Sequence, residues 1–244
     1  MRNIKVIVDY DGTDFSGFQK QPGRRTVQGE IEFVLERLFG EPIRVIAAGR
    51  TDAGVHATGQ VISFRTHGTI PVERICPAMN GMLASDVRAK KAEQVAEDFH
   101  ARYSAKSRTY AYVILNRRFP SALLERYAWR IEAPLDLEAI RLAAQSLVGT
   151  HDFASFGAPD RAGMSTTREV FDCRVSSRRE FVIFRIKANA FLRGMARAIV
   201  GTLVEIGQER LPVERVAEIL AMRDRQAVRV VAPPQGLFLT RVEY

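Results

Sequence analysis

The chain has 244 residues and a net charge of +8, from 36 basic and 28 acidic residues. Its 46% hydrophobic and 26% charged content is ordinary for a soluble globular protein, and the length allows one large domain or two small ones. No apolar run is long enough to span a bilayer, and two cysteines with four histidines offer neither a disulfide framework nor zinc-ligand spacing, so no membrane association and no metal are expected.

Residues 4–10 alternate as a strand, with Ile4, Val6 and Val8 on one face. The segment after it, Asp9-Tyr10-Asp11-Gly12-Thr13, has the form in which haloacid-dehalogenase-type phosphatases begin. That chemistry also needs a later acidic pair for magnesium, and no "DD" or "GDxxxD" follows; Asp-Gly-Thr is also a common way to end a strand in a turn. The short apolar run at the N-terminus lacks the longer core and small-residue cleavage site of a secretory signal, so a cytoplasmic protein is expected.

"TVQGEIEFVLERLFG" reads as a helix capped by Thr26 and ended by Gly40, with Val27, Ile31, Val34, Leu35 and Leu38 in one stripe. "IRVIAAG" and "GQVISFRT" are strand candidates around a turn, 72–83 a helix and 86–96 a strand. Beyond these, 107–115 is strand-like with Tyr110, Tyr112 and Ile114 on one face, and 136–149 a helix capped by Asp136. "REFVIFRIKA" is a strand with Val182, Phe184 and Ile186 on one face. Residues 190–206 form an apolar helix, "LPVERVAEILAMRD" another, and "GLFLTRVEY" closes as a strand. On the wheel of the 190–206 helix, Met195, Ile199, Leu203 and Ile206 make the stripe, while Arg193 and Arg197 share the opposite face. Strands and helices mix throughout, which predicts an α+β fold of two halves, 1–106 and 107–244, meeting near "ARYSAKSR" and flanking a basic cleft.

The chemistry concentrates in "AAGRTDAGVHATGQVISF", where Gly49, Gly54 and Gly59 surround Arg50, Thr51, Asp52 and His56. If 50–52 are extended, Arg50 and Asp52 point to one side and Thr51 to the other. An arginine beside a carboxylate favours its ionised form, and an ionised, partly desolvated Asp is a nucleophile for covalent catalysis. The same two residues also make an ordinary structural pair, and the residues alone leave both readings open. The arginine excess suits a polyanion such as nucleic acid, or a simply solvated surface.

The whole string "GRTDAGVHATGQV" closely resembles the signature of the TruA-type tRNA pseudouridine synthases. "YDGTDFSGFQKQ", "TVQGEIE", "DFHARYSAKSRTYAYVI", "HDFASF", "IKANAFLRGMARAIVGTLVEIG" and "APPQGLFLTRVEY" follow that family's order almost end to end. The chain departs from the pattern at Phe18, where Trp is usual, at "MNGMLASDV" and at Ala196. The resemblance implies the pseudouridine-synthase fold and isomerisation of uridine to pseudouridine at positions 38, 39 and 40 of the tRNA anticodon arm. Asp52 would be the nucleophile, with Arg197 its partner. Arg50 would fill the place of an extruded base or hold a phosphate, and Tyr110 would contact the substrate base. A homodimer bound to tRNA is implied, with no cofactor and no metal. Rival readings are a non-catalytic basic RNA-binding module, against which a carboxylate among phosphate contacts argues, and a related synthase acting on another RNA. His56 is left between a loop residue and an RNA contact.

Overall fold

A computed structural model describes residues 1–159, 161 and 163–244. In chain order the regular elements are β1 (Arg2–Tyr10), α1 (Val27–Phe39), β2 (Ile46–Ala47), β3 (His56–Thr66), α2 (Val72–Asn80), β4 (Val87–Val95) and β5 (Ser107–Asn116). They continue with β6 (Trp129–Ile131), α3 (Leu137–Gln145), β7 (Gly149–Asp152), β8 (Thr167–Arg178), β9 (Phe181–Ala188), α4 (Met195–Gly207), α5 (Arg215–Met222) and β10 (Leu237–Glu243). The fold is α+β with mixed sheets, and the chain divides into two compact units.

The first unit comprises Met1–Lys106 and Phe238–Tyr244. Its strands run in the order β4-β1-β3-β10, with β2 also on β3. The β1–β3 and β1–β4 pairs are antiparallel, whereas β10 joins β3 in parallel through Phe238↔His56 and Leu239↔Ala57. Residues 238–244, assigned by the sequence to the C-terminal half, thus group with the first unit, because their ladder partner is β3. Ile4, Val6 and Val8 are fully buried on one face of β1, as the alternation predicts, with Val27, Ile31, Val34 and Leu35 of α1 and Ile75 and Met79 of α2 completing that core. Ile7, on the opposite face, packs with Ala48, Val61, Ala101, Phe99 and Tyr244. Helix α1 begins and ends where its caps stand: Thr26 Oγ1 accepts the Gly29 N–H, and Gly40 turns into the left-handed region at φ 69°.

The second unit, Ser107–Leu237, pairs β5 with β9, β9 with β8 and β8 with β7 in antiparallel fashion, and β6 in parallel with β5. Tyr112, Ile114, Val182, Phe184 and Ile186 are buried on one face of this sheet, and α3 packs against β8, α4 and α5. Three strands here, β6, β7 and β8, have no counterpart in the sequence reading. In β8 the register slips between Val170 and Asp172, so the bulge at Phe171 destroys the two-residue alternation that would have exposed the strand. Gly149, expected to end a helix, instead opens β7, and α3 stops at Gln145. Arg179 belongs to the β8–β9 turn, with φ 55°, rather than to the strand.

Candidate active site

Residues 49–55 form the connection from β2 to β3, and the "IRVIAAG" strand shrinks to Ile46–Ala47. Arg50 is exposed, Thr51 buried and Asp52 half-buried, following the alternation expected of an extended stretch. A chain of buried polar groups holds this stretch from behind. Gln60 donates from Nε2 to the Gly49 carbonyl at 2.7 Å and to the Tyr10 hydroxyl at 3.3 Å, and the Tyr10 and Thr51 hydroxyls share a hydrogen bond of 2.8 Å. Burial pushes the Tyr10 hydroxyl up to about 12, against the opposing pull of Thr51 and Gln60, so it stays protonated. The Thr51 carbonyl accepts the Phe18 N–H at 3.0 Å, and Asp52 O accepts the Val55 N–H at 3.1 Å, closing the turn. Gly17 lies at φ 94°, and a Cβ there would stand 2.9 Å from Thr51 O, so only glycine lets the chain pass this close behind the loop.

The phosphatase-like opening forms a wall of the same loop. Asp11 Oδ1 accepts from the Thr13 N–H at 3.0 Å and the Thr13 hydroxyl at 2.6 Å, a side chain folded over its own turn. Asp9 faces Lys90 at 3.6 Å. His56, only 1% exposed, sits under this turn: its Nδ1 accepts the Gly12 N–H at 3.0 Å and lies 3.2 Å from Asp11 Oδ1, and its ring stacks on Phe238 at 4.7 Å. A neutral ring takes the first contact, and a protonated one would turn to the carboxylate. Of the two roles left open for His56, burial favours the structural one. Phe18 is buried too, tilted against Tyr10 at 6.2 Å, so the Trp-to-Phe departure is a matter of packing behind the loop. Tyr10, Gln60 and Gly12 are the positioning residues that sequence reasoning missed; the polar Gln60 inside an apolar strand run was the available signal.

In the second unit, Tyr110 on β5 is 7% exposed and meets Phe191 edge-on at 4.7 Å. Tyr112, the weaker candidate, is a structural residue: its hydroxyl donates to Pro233 O at 2.8 Å and its ring abuts Gly236. Burial raises its hydroxyl well above the ordinary tyrosine value, with the Arg197 charge pulling the other way. Helix α4 starts at Met195, not at 190. Gly194 in the left-handed region at φ 77° stops it, and the Arg193 and Ala158 backbones bridge ahead of it. Arg193 is therefore off the helix and cannot share a helical face with Arg197. Within Met195–Gly207 every residue is buried except Arg197, which is half-buried and donates from Nε to Ala232 O at 2.7 Å. Arg197 also depresses Arg225, for which burial is the larger cause.

Among the described residues no group of three or more His, Cys, Asp or Glu could hold a metal ion, and no helix is long and apolar enough to cross a membrane. An open depression of about 480 Å³ is lined by Gln19, Lys20, Gln28, Glu32, Glu36, Pro42, Ile43 and Arg44; no residue of the 49–56 stretch lines it, so it is not taken as the site.

Residues 6–104 and 143–244 match the family model described as tRNA pseudouridine synthase, which makes this α+β chain a pseudouridine synthase. The chain belongs to that family. It is 48% identical over 243 residues to tRNA pseudouridine synthase A of Moorella thermoacetica (strain ATCC 39073 / JCM 9320), covering 99% of both chains. It is 41% identical over 244 residues to tRNA pseudouridine synthase A of Thermoanaerobacter sp. (strain X514), covering 100% of both. A solved archaeal box H/ACA sRNP Nop10–Cbf5 complex matches at 13% identity and a TM-score of 0.36, over 82% of this chain and 44% of that one, a likeness too weak to carry site geometry.

Proposed function

We propose that this protein isomerises uridine to pseudouridine at positions 38, 39 and 40 in the anticodon arm of tRNA, with Asp52 as the nucleophile. The observation that supports it best is the pinned loop. Tyr10, Phe18 and Gln60 fix Gly49 and Thr51, and Asp52, the residue after the second anchor, is half-buried, within reach of a ligand. Full-length relatives named tRNA pseudouridine synthase A agree with the substrate class. The reaction breaks the bond from uracil N1 to C1′ and forms one from C5 to C1′, with the C5 hydrogen passing to solvent as a proton and N1 taking one up. Nothing is oxidised or lost overall, so the chemistry asks for no cofactor.

Three further roles follow the family resemblance: Arg50 takes the place of an extruded base or holds its phosphate, Tyr110 contacts the base, and Arg197 supports the charge of Asp52. Extrusion from a stacked stem costs a few kcal/mol, which phosphate contacts must offset. A homodimer acting in the cytoplasm completes the reading. The test is a pseudouridine map of tRNA from cells lacking the gene. Loss at positions 38–40, with other sites unchanged, is expected; an unchanged map would end the proposal.

The arginine excess sets a second expectation. If about six to ten phosphates are neutralised, tRNA affinity falls roughly a thousandfold or more between about 50 and 200 mM salt. A flat response in a filter-binding titration would contradict tRNA as the ligand.

A further inference from the structure

Tyr103 is 79% exposed in the turns between β4 and β5. A ring so far out of the core usually belongs to a loose segment, and this one does not. Asn3 donates from Nδ2 to the carbonyls of Ala96 and Phe99, both at 2.9 Å, and the Ala101 N–H donates to Ser63 Oγ at 3.2 Å. The Tyr244 hydroxyl donates to Ala101 O at 2.9 Å, and Phe99 packs on the Tyr244 ring at 4.8 Å. Ala101 itself is fully buried.

From that anchor the chain turns outward and builds a support. His100 Nδ1 accepts the N–H groups of Arg102 and Tyr103, each at 3.2 Å, so the ring proton sits on Nε2 and the imidazole is aligned by the backbone. The His100 N–H donates to Ser104 Oγ at 3.1 Å, and the Ser104 N–H returns to His100 O at 2.9 Å. On this imidazole the Tyr103 ring is stacked, 4.4 Å between centroids and 29° from parallel. The Arg102 guanidinium carbon lies 5.9 Å from the tyrosine centroid. The stretch from His100 to Lys106 contains Arg102 and the exposed Lys106 and no acidic residue.

We infer that Tyr103 is a stacking platform for an unpaired nucleobase of the tRNA substrate, an inference that rests on the tRNA reading above. A flat ring, backed by a second ring and held at fixed orientation, loses little conformational freedom when a base settles on it. The positive neighbourhood suits the phosphates that flank such a base. A second protein surface would want an apolar surround, and Ser104 and Lys106 beside the ring are polar and exposed.

The test uses an in vitro transcribed tRNA with tritium at uracil C5 and four proteins: wild type, Tyr103→Ala, Tyr103→Phe and Tyr103→Trp. With Tyr103→Ala, Kd and KM for the tRNA rise about tenfold, in the range that alanine substitution of stacking residues gives, while kcat stays within about twofold. Phe and Trp restore affinity, because each keeps a stacking face. The slope of log Kd against log salt is unchanged, since no cation is removed. An exposed side chain leaves thermal unfolding where it was, so a folding defect shows separately. The inference falls if Tyr103→Ala binds tRNA within about twofold of wild type. It falls equally if the loss of affinity accompanies a halved particle mass, which would make the ring a contact between copies. A wild-type protein that neither binds tRNA nor releases tritium takes the tRNA reading down with it; an active wild type with a neutral Tyr103→Ala sinks only the platform.

Discussion

Asp52→Asn retains tRNA binding and loses turnover. The amide is nearly the size of the carboxylate, and the contacts that hold the loop run through Tyr10, Gln60, Phe18 and the Gly49, Thr51 and Asp52 backbone, none of which needs the charge. The fold and the phosphate contacts therefore persist, and affinity stays within severalfold of wild type. What disappears is the anion able to attack carbon, and removing a nucleophile costs on the order of 10⁴-fold or more in turnover. The readout is direct. Uracil C5 becomes the new glycosidic carbon, so its hydrogen must leave for water. Tritium at C5 is released by wild type and kept in the presence of Asp52→Asn. Release at near wild-type rates would remove Asp52 as the nucleophile and return attention to Asp9 and Asp11, both of which now have evident structural partners in Lys90, Thr13 and His56.

Gly12→Ala damages stability and catalysis together. A Cβ at position 12 would lie 2.0 Å from the Val55 carbonyl oxygen and 2.5 Å from its carbonyl carbon, and backbone cannot step aside as a side chain would. Overpacking of this kind costs about 3 kcal/mol, and for a chain of this size that lowers Tm by roughly 6–12 °C. The displaced Val55 is the residue whose N–H closes the Asp52 turn, and His56 beside it accepts the Gly12 N–H. A shift of about 1 Å at a reacting group costs on the order of a hundredfold in rate, so activity measured well below the new Tm falls by about that factor. Gly81→Ala serves as the control: φ is −69° and the nearest atoms to a new Cβ are 3.6 Å away, so melting and activity stay put. Full activity with unchanged melting in Gly12→Ala would show that the strand-end turn does not support the loop.

Local signals were legible and remote ones were not. Helix α1 is readable because Thr26 and Gly40, its two ends, act within a single turn. Strand β8 is hidden by its own bulge, and β6 and β7 are too short to show a period. The start of α4 was missed because apolar residues continue upstream of Gly194, and hydropathy says nothing of a left-handed backbone. At the site, the Asp52 string was conspicuous as a string. Its support was not, since His56 finds Gly12 in an earlier loop and Phe238 near the far end of the chain, and Gln60 reaches back to Tyr10. Periodicity sees neighbours along an element; a hydrogen bond between distant loops leaves no trace in it.

The parallel pairing of β10 with β3 also orders events during synthesis. The ribosome makes the first unit first, yet that unit lacks a strand until residues 238–244 emerge, after the whole second unit has been translated. Until then β3 carries an open edge where Phe238 will lie, and the ring of His56 has no neighbour to stack on. The nascent chain thus carries the Asp52 loop early and completes its scaffold last, so a ribosome stalled in the second unit would hold a polypeptide with the reactive sequence but an unfinished frame around it.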